Sequence, residues 1–244
     1  MTGYNLSMRW QKSPLVQRVV NGRPPEQVKT ALLFLAGTCF ALSSAAFSFA
    51  NELAVGYFSS SNLESWENKS FSGKTTYSLV RLQDAVVLKA ESHGSASGLF
   101  KEIKVDLTKY PYLNWRWRIE SRLTTSNEHI KSGDDYAARI YVIIDGGFLP
   151  WRTRAVNYVW ASKAEKYEVW PSAFAGSNSM MVALRNDQDS TATWYHEKRN
   201  VLEDLHAVFG REYTSIDGIA IMTDTDNNLD HTIAYYGDIS FSAN

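Results

Sequence analysis

Residues Tyr112-Leu-Asn-Trp-Arg-Trp-Arg-Ile-Glu120 alternate without a break, with Leu113, Trp115, Trp117 and Ile119 in one set and Asn114, Arg116, Arg118 and Glu120 in the other. Successive side chains of a strand point to opposite faces, so this stretch reads as a strand with one face in a core and one face wet. A helix would scatter the two tryptophans around its surface. The chain must therefore build a sheet that is covered on one side.

Other short runs rich in Val, Ile, Tyr, Phe and Trp recur between Gly, Pro, Asn, Asp and Ser punctuation, the pattern of a β-sandwich or barrel. Strands are expected near 75–81, 85–93, 97–106, 112–120, 135–145, 155–162, 166–170, 179–185, 217–223 and 233–242. One segment differs. Within Tyr195–Phe209, residues Val201, Leu202, Leu205, Val208 and Phe209 fall at helical spacing; Asn200 suits an N-cap, Glu203 and Asp204 suit the first turn, and Gly210 suits the stop. The expected fold is all-β: a jelly-roll-like antiparallel β-sandwich with one short helix inserted near residues 200–209.

The wet face of the Tyr112 strand displays Arg116 and Arg118. In the run Asp135-Tyr-Ala-Ala-Arg-Ile-Tyr-Val-Ile-Ile144, Asp135, Arg139 and Tyr141 share one side, and Ala138, Ile140 and Val142 the other. If the two strands pair through the loop 121–133, their arginines and aspartate form a charged ladder across one sheet face. Such a ladder is either a solvated outer face or a polar concave surface that receives an acidic or hydroxyl-rich ligand.

Between two strand-like segments lies Thr223-Asp-Thr-Asp-Asn-Asn228, whose Asp224, Asp226 and Asn228 are spaced as alternate oxygen donors. The EF-hand pattern fails, because its sixth and twelfth positions hold Leu229 and Tyr235 instead of Gly and Glu. A calcium site outside that motif would need Asp224, Asp226 and Asp238 to converge, with the flanking strands paired as a hairpin. The alternative is an Asx-rich turn whose side chains satisfy their own backbone.

Catalytic patterns are weak. Gly94-Ser-Ala-Ser-Gly98 has Ala96 where a nucleophile elbow needs Ser, and it suits a turn leading into the strand of Leu99 and Phe100. The histidines His93, His129, His196, His206 and His231 show no short metal-ligand spacing. Asp134, Asp135, Glu197, Asp224 and Asp238 form a pool for acid–base work by paired carboxylates, but no spacing selects a pair. Arg199 either binds Asp204 or lines the polar face.

Upstream of Asn51, Lys29, the apolar run Ala31-Leu-Leu-Phe-Leu-Ala-Gly-Thr-Cys-Phe-Ala-Leu42 and small residues ending Ser48-Phe-Ala50 have the three-part layout of a secretory signal. Residues 1–50 are read as a leader and 51–244 as a single domain. Residues 1–27 are too long and too polar for an ordinary n-region, and a start at Val28 would give a compact signal. An apolar run of about 20 residues can just span a bilayer, but its Ser-rich second half suits a peptidase better, so no stable membrane span is expected after cleavage. Cys39 is the only cysteine, so a mature chain has no disulfide. Of 25 basic and 26 acidic residues the leader holds five and one, which leaves the remainder at a net charge of −5. That balance gives no electrostatic case for nucleic acid. The export signal implies a periplasmic or secreted protein.

Gly94-Ser-Ala-Ser-Gly-Leu-Phe100, Leu113-Asn-Trp-Arg-Trp117, Gly133-Asp-Asp-Tyr-Ala-Ala-Arg-Ile-Tyr-Val142, Tyr158-Val-Trp160, Arg199-Asn-Val201, Phe209-Gly210 and Met222-Thr-Asp-Thr-Asp-Asn227 occur in that order. Together they resemble the family of exported bacterial proteins called domain of unknown function 3047. The resemblance implies a secreted or periplasmic single domain and assigns no activity. The usual Arg-Asp-Val appears here as Arg199-Asn200-Val201, and the usual Asp-Asn-Thr as Asp226-Asn227-Asn228.

The expected function is binding of a carbohydrate or another small, hydroxyl-rich envelope component. Its candidate residues are Arg116, Arg118, Asp135, Arg139, Arg199, Asp224, Tyr236 and Asp238, with Trp160 as a ring to stack on a sugar. The alternatives are a glycan-directed hydrolase using paired carboxylates and a structural partner in envelope assembly.

Overall fold

The computed structural model describes residues 52–124 and 127–244. The leader, the alternative start at Val28 and Cys39 lie outside the described residues. No described helix is long and apolar enough to cross a membrane.

Two seven-stranded sheets face each other. The first contains β1 (Glu52–Gly56), β3 (Thr76–Leu82), β4 (Ala85–His93), β6 (Tyr112–Ile119), β11 (Tyr195–Asn200), β13 (His231–Tyr236) and β14 (Ile239–Ser242). The second contains β2 (Glu67–Ser72), β5 (Ala96–Asp106), β7 (Arg139–Ile144), β8 (Arg154–Trp160), β9 (Val169–Ser172), β10 (Gly176–Arg185) and β12 (Ser215–Asp224). The expected all-β sandwich with one short helix is the observed architecture. The pairs are antiparallel except β8 and β10, which run parallel. A parallel pair needs a crossover, and the segment 161–175, carrying β9, provides it. Strands β1, β2 and β11 were not foreseen in the sequence.

Strand β6 is central to the first sheet. It pairs with β11 on one side and with β13 and then β14 on the other. Its alternation is realised: Leu113, Trp115, Trp117 and Ile119 are buried, and Asn114, Arg116 and Arg118 lie on the outer face. The buried set meets Ile140, Val142, Tyr158, Trp160, Ile219 and Ile221 of the second sheet in one core. Trp115 stacks on Tyr158 with ring centroids 5.4 Å apart, and Trp117 lies 6.0 Å from Trp160. Full burial of side chains this large contributes on the order of 2–3 kcal/mol each.

Helix α1 (Val201–Phe209) begins where Asn200 accepts from the Glu203 N–H at 3.2 Å. It ends at Gly210, whose φ of 63° lets its N–H reach the His206 carbonyl at 2.8 Å. Val201 and Leu205 are its buried anchors.

Two expected pairings do not form. β6 and β7 belong to opposite sheets, so Arg116, Arg118, Asp135 and Arg139 make no common ladder. Both strands have an apolar face, and each buries it against the other sheet rather than beside its sequence neighbour. β12 and β13 likewise are no hairpin, because the chain crosses between the sheets at residues 225–230.

Candidate functional site

Arg116 and Asp238 on one side, and Asp135, Arg139, Asp224 and Asp226 on the other, gather at two places on opposite outer faces of the sandwich. The first is a groove of about 450 Å³ on the outer face of the first sheet, lined among others by Glu52, Ser59, Asn114, Arg116, His196, Lys198, Asp238 and Ser240. Register explains the lining. His196 lies opposite Arg116, and both Lys198 and Ser240 lie opposite Asn114, so these side chains share a face. Between β13 and β14 the ribbon is interrupted at Gly237, whose N–H donates to the Arg116 carbonyl at 2.9 Å. A Cβ at Gly237 would lie 2.5 Å from Arg116 Cγ and Nε, so only glycine lets the arginine lie across this break. Arg116 also covers the Trp194 ring at 4.7 Å, and Lys198 covers Tyr112 at 4.7 Å. Asp238 accepts from the N–H and the hydroxyl of Ser59, at 2.8 and 2.5 Å.

The second place is a buried acidic cluster on the outer face of the second sheet. Arg139 on β7 lies opposite Met222 on β12, and Asp224 follows two residues later on the same face. Arg139 Nη2 donates to Asp224 Oδ2 at 2.6 Å, with both side chains almost wholly buried. The guanidinium lies between Tyr136 and Tyr141, 4.5 and 5.0 Å from their ring centroids. Asp135 receives the backbone N–H groups of Asn227 and Asn228 at 3.1 and 2.8 Å, and their side-chain amides at 3.1 and 3.0 Å. The Asx-rich turn is therefore held by a distant aspartate. Beneath it, the Tyr236 hydroxyl accepts from the Arg139 N–H at 3.2 Å and donates to the Met222 carbonyl at 2.9 Å. It ties the two sheets together.

Four carboxylates, Asp134, Asp135, Asp224 and Asp226, thus crowd one guanidinium. Burial pushes the Asp134 carboxyl up to about 6, against the opposing pull of Arg139 and the Tyr136 hydroxyl. Burial and then the Asp135 charge push Asp226 up as well. Burial presses Asp224 upward, and Arg139 opposes it. For Arg139 burial is the largest influence and acts downward, but Asp224, Tyr141, Asp134 and Tyr136 together outweigh it and the arginine stays charged. Oxygens of Asp135, Asp224 and Asp226 lie within 4.8 Å of one another. Asp224 Oδ1 and Arg139 Nε are buried and have no hydrogen-bond partner among the described residues. Three carboxylates so placed can hold a hard cation such as calcium.

Several expected site residues are placed elsewhere. Asp238 does not join Asp224 and Asp226, because β14 lies in the other sheet; Asp135 takes that position. Trp160 offers no ring to a ligand: it faces the core, and its Nε1–H donates to the Asn186 carbonyl at 3.2 Å. Tyr236 is fully buried. Arg199 is bound to Asp204 through Nε at 2.9 Å and Nη2 at 2.5 Å, and Tyr158 donates to the same carboxylate at 2.6 Å. Arg118 shares the outer face with Arg116 but is paired with Glu120 at 2.7 Å. Of the ladder, Arg116 belongs to the groove with Asp238, and Asp135 and Arg139 belong to the cluster with Asp224.

The groove residues Glu52, Ser59, Asn114, His196, Lys198 and Ser240 were not foreseen as a site. One signal was available: Trp194, His196 and Lys198 alternate with Tyr195, Glu197 and Arg199, the period of a strand. Glu52 and Ser59 carry no such signal.

No curated protein matches the chain. Among solved structures, the chain is similar to the family 30 carbohydrate-binding module of the cellulosomal cellulase Cel9D-Cel44B of Clostridium thermocellum, with 11% identity over 79% of this chain and 97% of that one, at a TM-score of 0.46. It is also similar to the family 11 carbohydrate-binding module from Clostridium thermocellum, with 10% identity over 79% of this chain and 96% of that one, at a TM-score of 0.42. The endoglucanase Cel12A from Rhodothermus marinus matches with 8% identity over 78% of this chain and 97% of that one, at a TM-score of 0.43. Likenesses this distant carry no argument about ligand or reaction. The family model described as "Protein of unknown function (DUF3047)" matches residues 64–240, which contain the whole acidic cluster and all of the groove but Glu52 and Ser59; the chain belongs to that family.

Proposed function

We propose that this chain is an exported ligand-binding module of the cell envelope that takes a carbohydrate or another hydroxyl-rich component in the groove of the first sheet. The observation that supports this reading is the mixed lining of the groove. Arg116, His196 and Lys198 supply donors, while Glu52, Asp238, Ser59 and Ser240 supply acceptors. Each hydroxyl of a sugar is both donor and acceptor and is matched by such a wall, whereas an anionic ligand would call for one sign of charge. The volume is in the range of small-molecule sites.

The hydrolase alternative needs two carboxyl groups facing each other across an open cleft, about 5–9 Å apart. Here Asp238 is engaged by Ser59, and Glu197 accepts from Trp117 at 3.0 Å and Arg185 at 2.6 Å. In the acidic cluster of the second sheet Asp134, Asp135 and Asp224 are buried, and Asp226 is half-buried. With Asp238 and Glu197 tied to internal partners, the groove lacks a free facing pair, which favours binding over hydrolysis.

A thermal-shift screen of the protein against glycans should yield stabilising ligands, with Arg116→Ala weakening each by about 10- to 100-fold, the loss of one hydrogen bond to a charged group. A uniformly blank screen removes the reading. A ligand bound equally well by Arg116→Ala and Asp238→Asn removes the groove.

Calcium belongs to the same proposal as a structural ion held by Asp135, Asp224 and Asp226, with the unpartnered Asp224 Oδ1 as the oxygen that favours it. Calcium at about 10 mM, ten times or more the dissociation constants of extracellular modules, should then stabilise the fold by about 1.4 kcal/mol or more. Asp226→Asn should abolish the rise in melting temperature. An unmoved wild-type melting temperature removes calcium from the account.

A further inference from the structure

We infer that Glu91, His93 and His231 form a surface site for a divalent transition metal, zinc foremost. His93 at the end of β4 lies opposite His231 at the start of β13, and Glu91 is two residues before His93 on the same outer face. The geometry converges on one oxygen: Glu91 Oε1 is 3.4 Å from His93 Nε2 and 3.5 Å from His231 Nε2. The ligand atoms of all three residues lie within 4.8 Å of one another. A tetrahedral zinc with bonds of about 2.0–2.1 Å to nitrogen and oxygen has edges of about 3.3 Å between its ligands. Two of the three edges are therefore already near their bound length.

The support around these three side chains favours the same assignment. Glu91 Oε2 is held by Lys89 Nζ at 2.7 Å, which orients the carboxylate and leaves Oε1 toward the imidazoles. Cross-strand pairing along β4 and β13, continued by the Gly94 N–H to the Asp230 carbonyl at 2.9 Å, holds the two histidine backbones in register. The rings are stacked, with centroids 3.8 Å apart and planes 11° from parallel. A metal lies in the plane of each imidazole that binds it, so the rings must splay on binding. Their side chains are 66% and 48% exposed, so that motion is a rotamer adjustment at the surface. Two imidazoles and one carboxylate suit zinc, copper(II) or nickel and disfavour calcium and magnesium, which prefer all-oxygen sets. The fourth position faces solvent and takes water.

Isothermal titration of the full chain with zinc chloride should show one site that His93→Ala and His231→Ala each weaken at least about 100-fold and Glu91→Gln about 10-fold, the scale of losses at metal-site residues. The exposed His206→Ala should bind as the wild type does. In the wild-type chain the imidazole resonances of His93 and His231, and not those of His129 or His206, should shift on adding zinc. The assignment fails if zinc does not bind, if His93→Ala binds it as tightly as the wild type, or if the shifted resonances belong to other histidines.

Discussion

Arg139→Met is expected to destabilise the fold by about 3–5 kcal/mol, the cost of leaving one buried charge without its partner. For a domain of this size that lowers the melting temperature by about 6 to 20 °C. The reason lies in what surrounds the guanidinium. It donates to Asp224 at 2.6 Å and is packed between the rings of Tyr136 and Tyr141, in a cluster that also holds Asp134, Asp135 and Asp226. Methionine fills much of the same volume, so the loss comes from charge rather than from a cavity. Asp224→Asn on top of Arg139→Met should recover a large part of the loss, because the carboxylate left unpaired is then gone. Equal melting temperatures for Arg139→Met and the wild type would show that the ion pair carries no such weight.

The second large effect is a gain. Asp134→Asn should stabilise the chain at neutral pH by up to about 3 kcal/mol, which is the shift from 3.8 to about 6 at 1.36 kcal/mol per unit. Between those values the folded chain holds on Asp134 a proton that the unfolded chain releases. A carboxyl raised in this way favours the fold fully below its unfolded value, and that contribution is lost as pH rises through about 6. Asparagine keeps an oxygen to accept the Tyr136 hydroxyl, now at 3.1 Å, and does not titrate. The difference in unfolding free energy between variant and wild type, measured by denaturant titration, should therefore be small near pH 4 and grow toward pH 7. A difference that stays flat over that range would remove the account of Asp134 as a carboxyl raised by burial. A wild-type chain that keeps a destabilising cluster fits a site retained for a purpose other than stability.

Much of the architecture was legible because it repeats locally. The alternation of Leu113, Trp115, Trp117 and Ile119 with Asn114, Arg116 and Arg118 identified a half-buried strand, and Asn200 and Gly210 marked both ends of the helix. The strands β1 and β2 were missed because Glu52–Gly56 and Glu67–Ser72 mix polar and apolar residues without a clean period. The site was legible only in pieces. Residue type and strand face mark Arg116, Asp238, Asp135, Arg139 and Asp224, but the ladder and the hairpin that chain order suggests for them do not form.

Sequence by itself determined the class of fold, the apolar faces and the caps, because those depend on side-chain periods and on backbone preferences within a few residues. Only the tertiary structure decided which charges meet. Nothing within a strand specifies its sheet, and the burial of two apolar faces against each other sends β6 and β7, and then β12 and β13, to opposite layers. That choice separates Asp238 from Asp224 and unites Arg139 with four carboxylates. It also brings His93 against His231 from the far end of the chain, and no local period encodes such a meeting.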